Sequence, residues 1–161
     1  MATVEIPLTQ GKVAVIDAED LSLIQGYSWH ACFHGHTWYA KAWEPGASPK
    51  RKVYMHRLIV GAREGTEVDH RDRNGLNNCR DNLRIVSRQQ NCRNQKLKHG
   101  ASAFKGVSFC RRDKRWVAQI RDAEGRKRNL GRYDTEQEAA SAYDAAALRF
   151  HGSFAYANGE Q

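Results

Sequence analysis

The chain has 161 residues, enough for one ordinary domain or two small ones, so no single large core is expected. A net charge of +8 and a pI near 9.5 favour an acidic polymer, nucleic acid above all, over a small acidic ligand. The 4 cysteines lie far apart with no C-x-x-C pair, which argues against a zinc knuckle or a disulfide framework, and the sequence shows neither a secretory leader nor an apolar run of membrane-spanning length. These features together predict a reduced, intracellular protein that is not secreted.

The charge is unevenly placed. Residues 1–50 hold Lys12, Lys41 and Lys50 against five acids, Glu5, Asp17, Glu19, Asp20 and Glu44, and all of the basic excess follows them. In that first stretch Val13 and Val15 alternate as in a short strand, and Asp17 is expected to cap a short helix through Ile24. The segment HACFHGHTWYAKAW, the turn at 45–49 and RKVYMHRLIV predict a hairpin leading into another short element, with Trp29, Trp38, Tyr39 and Trp43 supplying its core. His56, among apolar neighbours, reads as a core histidine.

Next, VDHRDRNGLNNCRDNLRIVSRQQN predicts a strand ending at Asp69–His70, a turn at Asn74–Gly75, a second strand around Leu83–Val86, and a helix starting in Ser87–Asn91. QKLKHGASA has few large apolar residues and is expected to link two modules, with the linker at 96–103. Beyond it, FKGVSFCRR, RWVAQIRDAEG and RKRNLGRY predict a three-stranded antiparallel sheet with a turn at Asp122–Gly125. Thr135 and Glu138 form a capping box for a final helix, which carries Ala139, Ala142, Tyr143, Ala146 and Phe150 at helical spacing and stops at Gly152. On the middle strand Trp116, Ala118 and Ile120 should meet that helix, leaving Arg115, Val117, Gln119 and Arg121 outward.

The strand, loop, strand, helix order over residues 66–95, with Asp69–His70, Asn82 and Asn91 at its stations, resembles the HNH nucleases and their ββα-metal fold. The resemblance implies a phosphodiester-cleaving DNA endonuclease of the homing type found in phage and mobile elements. It makes His70 the general base and Asn82 the residue that constrains the loop and orients the histidine. Asp69 and Asn91 become ligands of one divalent metal, Mg²⁺ or Mn²⁺, which suits their oxygen donors. Asn91 stands where many members have histidine. The setting implied is the cytoplasm or nucleoid of a bacterial or phage-infected cell, with nicking as a monomer and double-strand cleavage as a homodimer both open.

Residues 104–157 resemble the DNA-binding domain of the plant APETALA2 and ethylene-response factors. The resemblance rests on Gly106–Val107, Trp116, Ala118, Ile120–Arg121–Asp122, Leu130–Gly131, Glu138–Ala139–Ala140 and Ala142–Tyr143–Asp144. In that family the outward sheet face enters the major groove of double-stranded DNA. Arg121 then suits guanine and Gln119 adenine, with Asn129 beside them. Lys105, Arg111, Arg112, Arg115, Lys127 and Arg128 are placed at phosphates. Ser108, Cys110 and Asn129 depart from the arginines and tryptophan usual there, so the target is expected to differ.

The expected fold is therefore α+β in two modules: a nuclease domain over 1–95 and a sheet-on-helix domain over 104–161. The alternative function is a non-catalytic, sequence-specific DNA-binding regulator that works through the second module alone. An RNA-binding module is disfavoured by the lack of paired exposed aromatics on the sheet.

Overall fold

A computed structural model describes residues 2–94 and 102–159, which fall into two compact units, Met1–Asn91 and Cys92–Gln161. Among the described residues no helix is long and apolar enough to cross a membrane. Most of the expected 96–103 linker lies outside the described residues. Ser102 and Ala103 are ordered parts of the second unit: the buried Ser102 hydroxyl donates to Glu136 at 2.6 Å and accepts from the Phe104 amide at 3.0 Å.

In the first unit, β1 (Thr3–Pro7) and β2 (Val13–Asp17) form an antiparallel hairpin, and a 3₁₀ turn leads into α1 (Leu21–Ile24). Asp17 does not cap that helix as expected; its carboxylate instead accepts the Arg80 amide at 2.7 Å. β3 (His30–His34), β4 (Thr37–Trp43) and β5 (Lys52–Tyr54) form a second antiparallel sheet, followed directly by α2 (Met55–Ile59). β6 (Glu67–His70) pairs with β7 (Leu83–Val86), and α3 (Arg88–Asn94) follows, its residues from Cys92 on belonging to the second unit.

The core here is aliphatic and small: Ala14, Ile16, Ile24, Ala40, Met55, Ile59 and Leu83. The four aromatics expected to build it do not. Trp29 packs only at its edge, and Trp43, in strand register with the exposed Lys52, remains 45% exposed. Its place on the sheet face away from Ala40 and Ala42 follows from strand alternation.

In the second unit, β8 (Val107–Cys110), β9 (Arg115–Arg121) and β10 (Lys127–Tyr133) form the antiparallel sheet, with β9 central. α4 (Glu136–His151) starts at the expected capping box: Glu138 N–H donates to Thr135 Oγ1 at 3.2 Å, and Thr135 N–H to Glu138 Oε2 at 3.1 Å. Val107, Ala118 and Ile120 meet Ala139, Ala140, Tyr143 and Ala147 in the core, where alanines allow close approach of helix and sheet. The buried stripe is rotated from the expected one, with Ala140, Ala147 and His151 inside and Ala142, Ala146 and Phe150 at its margin.

The chain beyond α4 is tied back into this unit. The Asn158 side chain accepts the Lys105 amide at 2.7 Å and donates to Lys105 O at 3.2 Å, and Asp144 receives Asn158 N–H at 2.8 Å.

Candidate functional site

Two regions hold the residues singled out in the sequence. The first is the β6–β7 hairpin. Its register sets Asp69 directly opposite Arg84 and His70 opposite Leu83. Arg84 donates from Nε at 2.8 Å and from Nη2 at 2.7 Å to Asp69 Oδ2, both side chains being buried. The Asp69 carboxylate is thus neutralised inside the protein by a neighbour on the paired strand. The Asn91 amide donates to Glu67 Oε2 at 2.6 Å. Among the described residues no group of three or more His, Cys, Asp and Glu side chains is placed to hold a metal ion. Asp69 Oδ2 is engaged by Arg84 and the Asn91 amide nitrogen by Glu67, so each of the two side chains expected to share one cation carries a protein partner.

Asn82 ties the loop together. Its Oδ1 accepts Asp72 N–H at 3.0 Å, while Nδ2 donates to Asp72 Oδ1 at 2.9 Å and to Asn77 O at 2.8 Å. The histidine, however, is met by Asn78, whose Oδ1 lies 3.4 Å from His70 Nε2. Asn78 is fully buried, and its own N–H donates to Val15 O at 2.7 Å. The sequence reading missed it; the only signal available was the polar doublet Asn77–Asn78 beside an apolar strand.

His70 and His56 stand with ring centroids 5.0 Å apart, and Tyr39 and Tyr54 pack around them. His56 is buried, as the sequence suggested, and its Nδ1 has no hydrogen-bond partner among the described residues. Burial, with the nearby His70 and Arg57, lowers its pKa to about 3. Burial also lowers that of His70, opposed by its hydrogen bond to Asn78.

An unfolded imidazole takes up its proton near pH 6.5, whereas His56 in the folded chain stays neutral to about pH 3. Stability is therefore complete above pH 6.5 and falls as pH drops through the window between those values, by about 1.4 kcal/mol per pH unit per histidine. Thermal melting should show the first unit losing about 2 kcal/mol between pH 6.5 and 5 from His56 alone. His56→Leu should flatten that slope, and a slope unchanged by the substitution would assign the acid sensitivity elsewhere.

The second region is the outward face of the C-terminal sheet. Because α4 covers the Ala118 side, cross-strand partners form outward rows: Cys110 beside Arg115; Ser108, Val117 and Arg132; Gln119 beside Asn129; and Arg121 beside Lys127. The strand turn beyond the last row is organised by the buried Asp122, whose carboxylate accepts the amides of Glu124 at 3.1 Å and Arg126 at 2.8 Å and Arg128 Nε at 2.8 Å. Arg121 Nη1 donates to Gly125 O at 3.0 Å, and His151 Nε2 donates to Arg121 O at 2.7 Å from the helix side. Arg121 is thereby fixed at both its backbone and its head group.

Of the expected interface residues, Arg115, Gln119, Arg121, Lys127 and Asn129 share this face. Arg111 and Arg112 lie in the exposed turn between β8 and β9, where Arg112 donates to Asp113 Oδ1 at 2.9 Å. Arg112's hydrogen bond holds the Asp113 carboxyl below the usual range, aided by the Cys110 thiol and by Arg132. Lys105 is placed differently from the expectation. Its ammonium donates to Arg93 O at 2.7 Å and to Cys92 O at 3.3 Å and lies over the Tyr156 ring at 5.3 Å, so it is spent inside the unit. Arg132 was not anticipated at all.

Residues 102–153 match the AP2 domain family. The chain is similar to ethylene-responsive transcription factor ERF084 of Arabidopsis thaliana, 48% identical over 67 residues that make up 41% of this chain and 26% of that protein. It is similar to AP2-like ethylene-responsive transcription factor PLT2 of Arabidopsis thaliana, 45% identical over 62 residues, or 38% of this chain and 11% of the relative. APETALA2-like protein 2 of Oryza sativa subsp. japonica is 46% identical over 52 residues, or 32% and 12%. The chain therefore spans only 26% of the first relative's length and less of the other two.

These findings overturn the expectation of an endonuclease. The match is to AP2-domain proteins, the first two of them named as transcription factors, and it supports no HNH module. The relatives are plant proteins, so they lend no support to the bacterial or phage-infected setting expected from the sequence.

Proposed function

We propose that the chain is a sequence-specific DNA-binding regulator whose β8–β9–β10 face lies against double-stranded DNA. One observation carries this reading: α4 closes one side of the sheet and leaves the other with rows of Arg, Lys, Gln and Asn side chains in a unit that matches the AP2 domain. The relatives' names as transcription factors support the regulatory role.

Physically, an arginine fixed like Arg121 suits bidentate contact with guanine O6 and N7, and Gln119 beside Asn129 suits adenine N6 and N7. Arg111, Arg112, Arg115 and Lys127 are placed at the periphery for phosphates, which position the sheet without reading sequence. A wide antiparallel face of this kind reads duplex rather than single strands, because it carries no pair of exposed aromatics for base stacking.

The test is selection of bound duplexes from a random pool, followed by titration at several salt concentrations. Arg121→Ala should cost about 1–3 kcal/mol on the selected site and relax preference at one base pair. Arg111→Ala should weaken binding to all duplexes alike and reduce the salt slope by about 0.9. Enrichment of no sequence, together with equal affinity for any duplex, would refute sequence-specific recognition.

A further inference from the structure

The middle outward row of the sheet contains Ser108 on β8, Val117 on β9 and Arg132 on β10. The first two are short, so Arg132 is the one long polar side chain of that row. Its Nη1 lies 3.3 Å from Asp113 Oδ2, in the turn between the other two strands. The same carboxylate accepts Arg112 Nε at 2.9 Å and stands 3.5 Å from the Cys110 thiol. One acid therefore joins β8, the turn and β10 across the outward face, with Arg132 half-exposed and Asp113 mostly covered.

An acidic residue on a face that meets phosphates is costly, because it repels the ligand. That cost is offset if the acid fixes a reading side chain. A free arginine loses several rotamer degrees of freedom on binding, and one already held by a carboxylate has lost them beforehand. Arg132 sits level with Val117, one row from Gln119 and Asn129 and two from Arg121 and Lys127, so it extends the row of polar groups along the sheet.

We propose that Arg132 is a base-reading residue of this face, taking guanine, and that Asp113 is a positioning residue that holds its guanidinium for the contact. The proposal rests on the reading of this face as a duplex-binding surface. It assigns recognition to a third polar row beyond those of Gln119–Asn129 and Arg121–Lys127.

The experiment uses the full chain, the duplex selected by the wild type, and a scrambled duplex of equal length. Arg132→Lys keeps the charge but loses the planar fork. It should bind the scrambled duplex as the wild type does, yet lose about tenfold in discrimination at one base pair. Asp113→Asn removes the repulsion and loosens Arg132. It should bind the scrambled duplex more tightly while losing discrimination at that same base pair, and the double variant should lose no more there than either single one.

Opposite movement of nonspecific affinity and discrimination is a signature that a merely structural acid does not give. If Asp113→Asn weakens both duplexes equally, or Arg132→Lys keeps the wild-type preference at every position, the proposal is overturned. If the wild type itself selects no sequence, the reading of the face fails first, and that result is visible before any variant is made.

Discussion

Replacing Gly106 with alanine is expected to remove most of the second unit's stability and weaken duplex binding. Gly106 has φ of +75°, and a Cβ there would overlap the Tyr143 ring and come within 2.6 Å of Gln119 O. Neither neighbour can yield. Tyr143 is buried on α4 against Ile120 and Ala147, and the Gln119 amide is committed to Gly106 O at 2.8 Å. Backbone strain and overpacking together cost about 3 kcal/mol, a large share of the ~3–5 kcal/mol that a core of this size supplies. Gly152, with φ of +54° and open space at its Cβ position, is the comparison, because alanine there meets backbone strain, about 1–3 kcal/mol, and no overpacking. Amide spectra of the full chain and titration with the selected duplex would show both effects. Equal melting and affinity for Gly106→Ala and the wild type would refute the packing argument.

Much of the second unit was legible because its signals are local. A capping box needs only Thr135 and Glu138, the alternation of Trp116, Ala118 and Ile120 needs one strand, and Gly152 ends the helix by its own backbone freedom. Arg132 escaped for a definable reason. Between Asn129 and Gly131 the ladder with β9 slips by one residue, so Asn129 and Arg132, three apart, share the outward face. Strict alternation from Asn129 would place Arg132 inside, and a bulge is a feature of paired strands that one strand's sequence does not display. Lys105 was misplaced by the converse error. Its position in the resemblance suggested a phosphate contact, but its ammonium meets two carbonyls that are distant in sequence.

The first unit shows the limit of motif reading more sharply. The strand, turn and helix order of residues 67–94 follows from local pattern and is present. What the motif residues do depends on which side chains lie across from them. His70 meets Asn78 and the ring of His56, two contacts fixed by the loop and by α2, and the resemblance named neither. Asp69 was read as a metal ligand because a carboxylate precedes a histidine there, yet the hairpin register brings Arg84 opposite it, 15 residues on. Register is set by pairing and turn length and not by the identity of one residue.

That pairing leads to the second large effect. Arg84→Ala is expected to destabilise the first unit by about 3–5 kcal/mol, since it leaves the Asp69 carboxylate buried without its counter-charge. The loss comes from stranding a charge more than from forfeiting an attraction. The pair's own net contribution is small, because both ions were desolvated to make it. The double variant Asp69→Leu/Arg84→Met, which removes both charges and keeps apolar volume, should therefore recover most of the loss. Denaturant titration of the wild type, the two single variants and the double variant measures the coupling directly. Repeating the Arg84→Ala titration in millimolar Mg²⁺ separates the two roles open to Asp69. A carboxylate held only by arginine stays destabilised, whereas full rescue by the cation would return Asp69 to the ligand role read from the sequence. Because Asp69 and Arg84 face each other in register on paired strands, with both side chains buried, the destabilised outcome is the expected one.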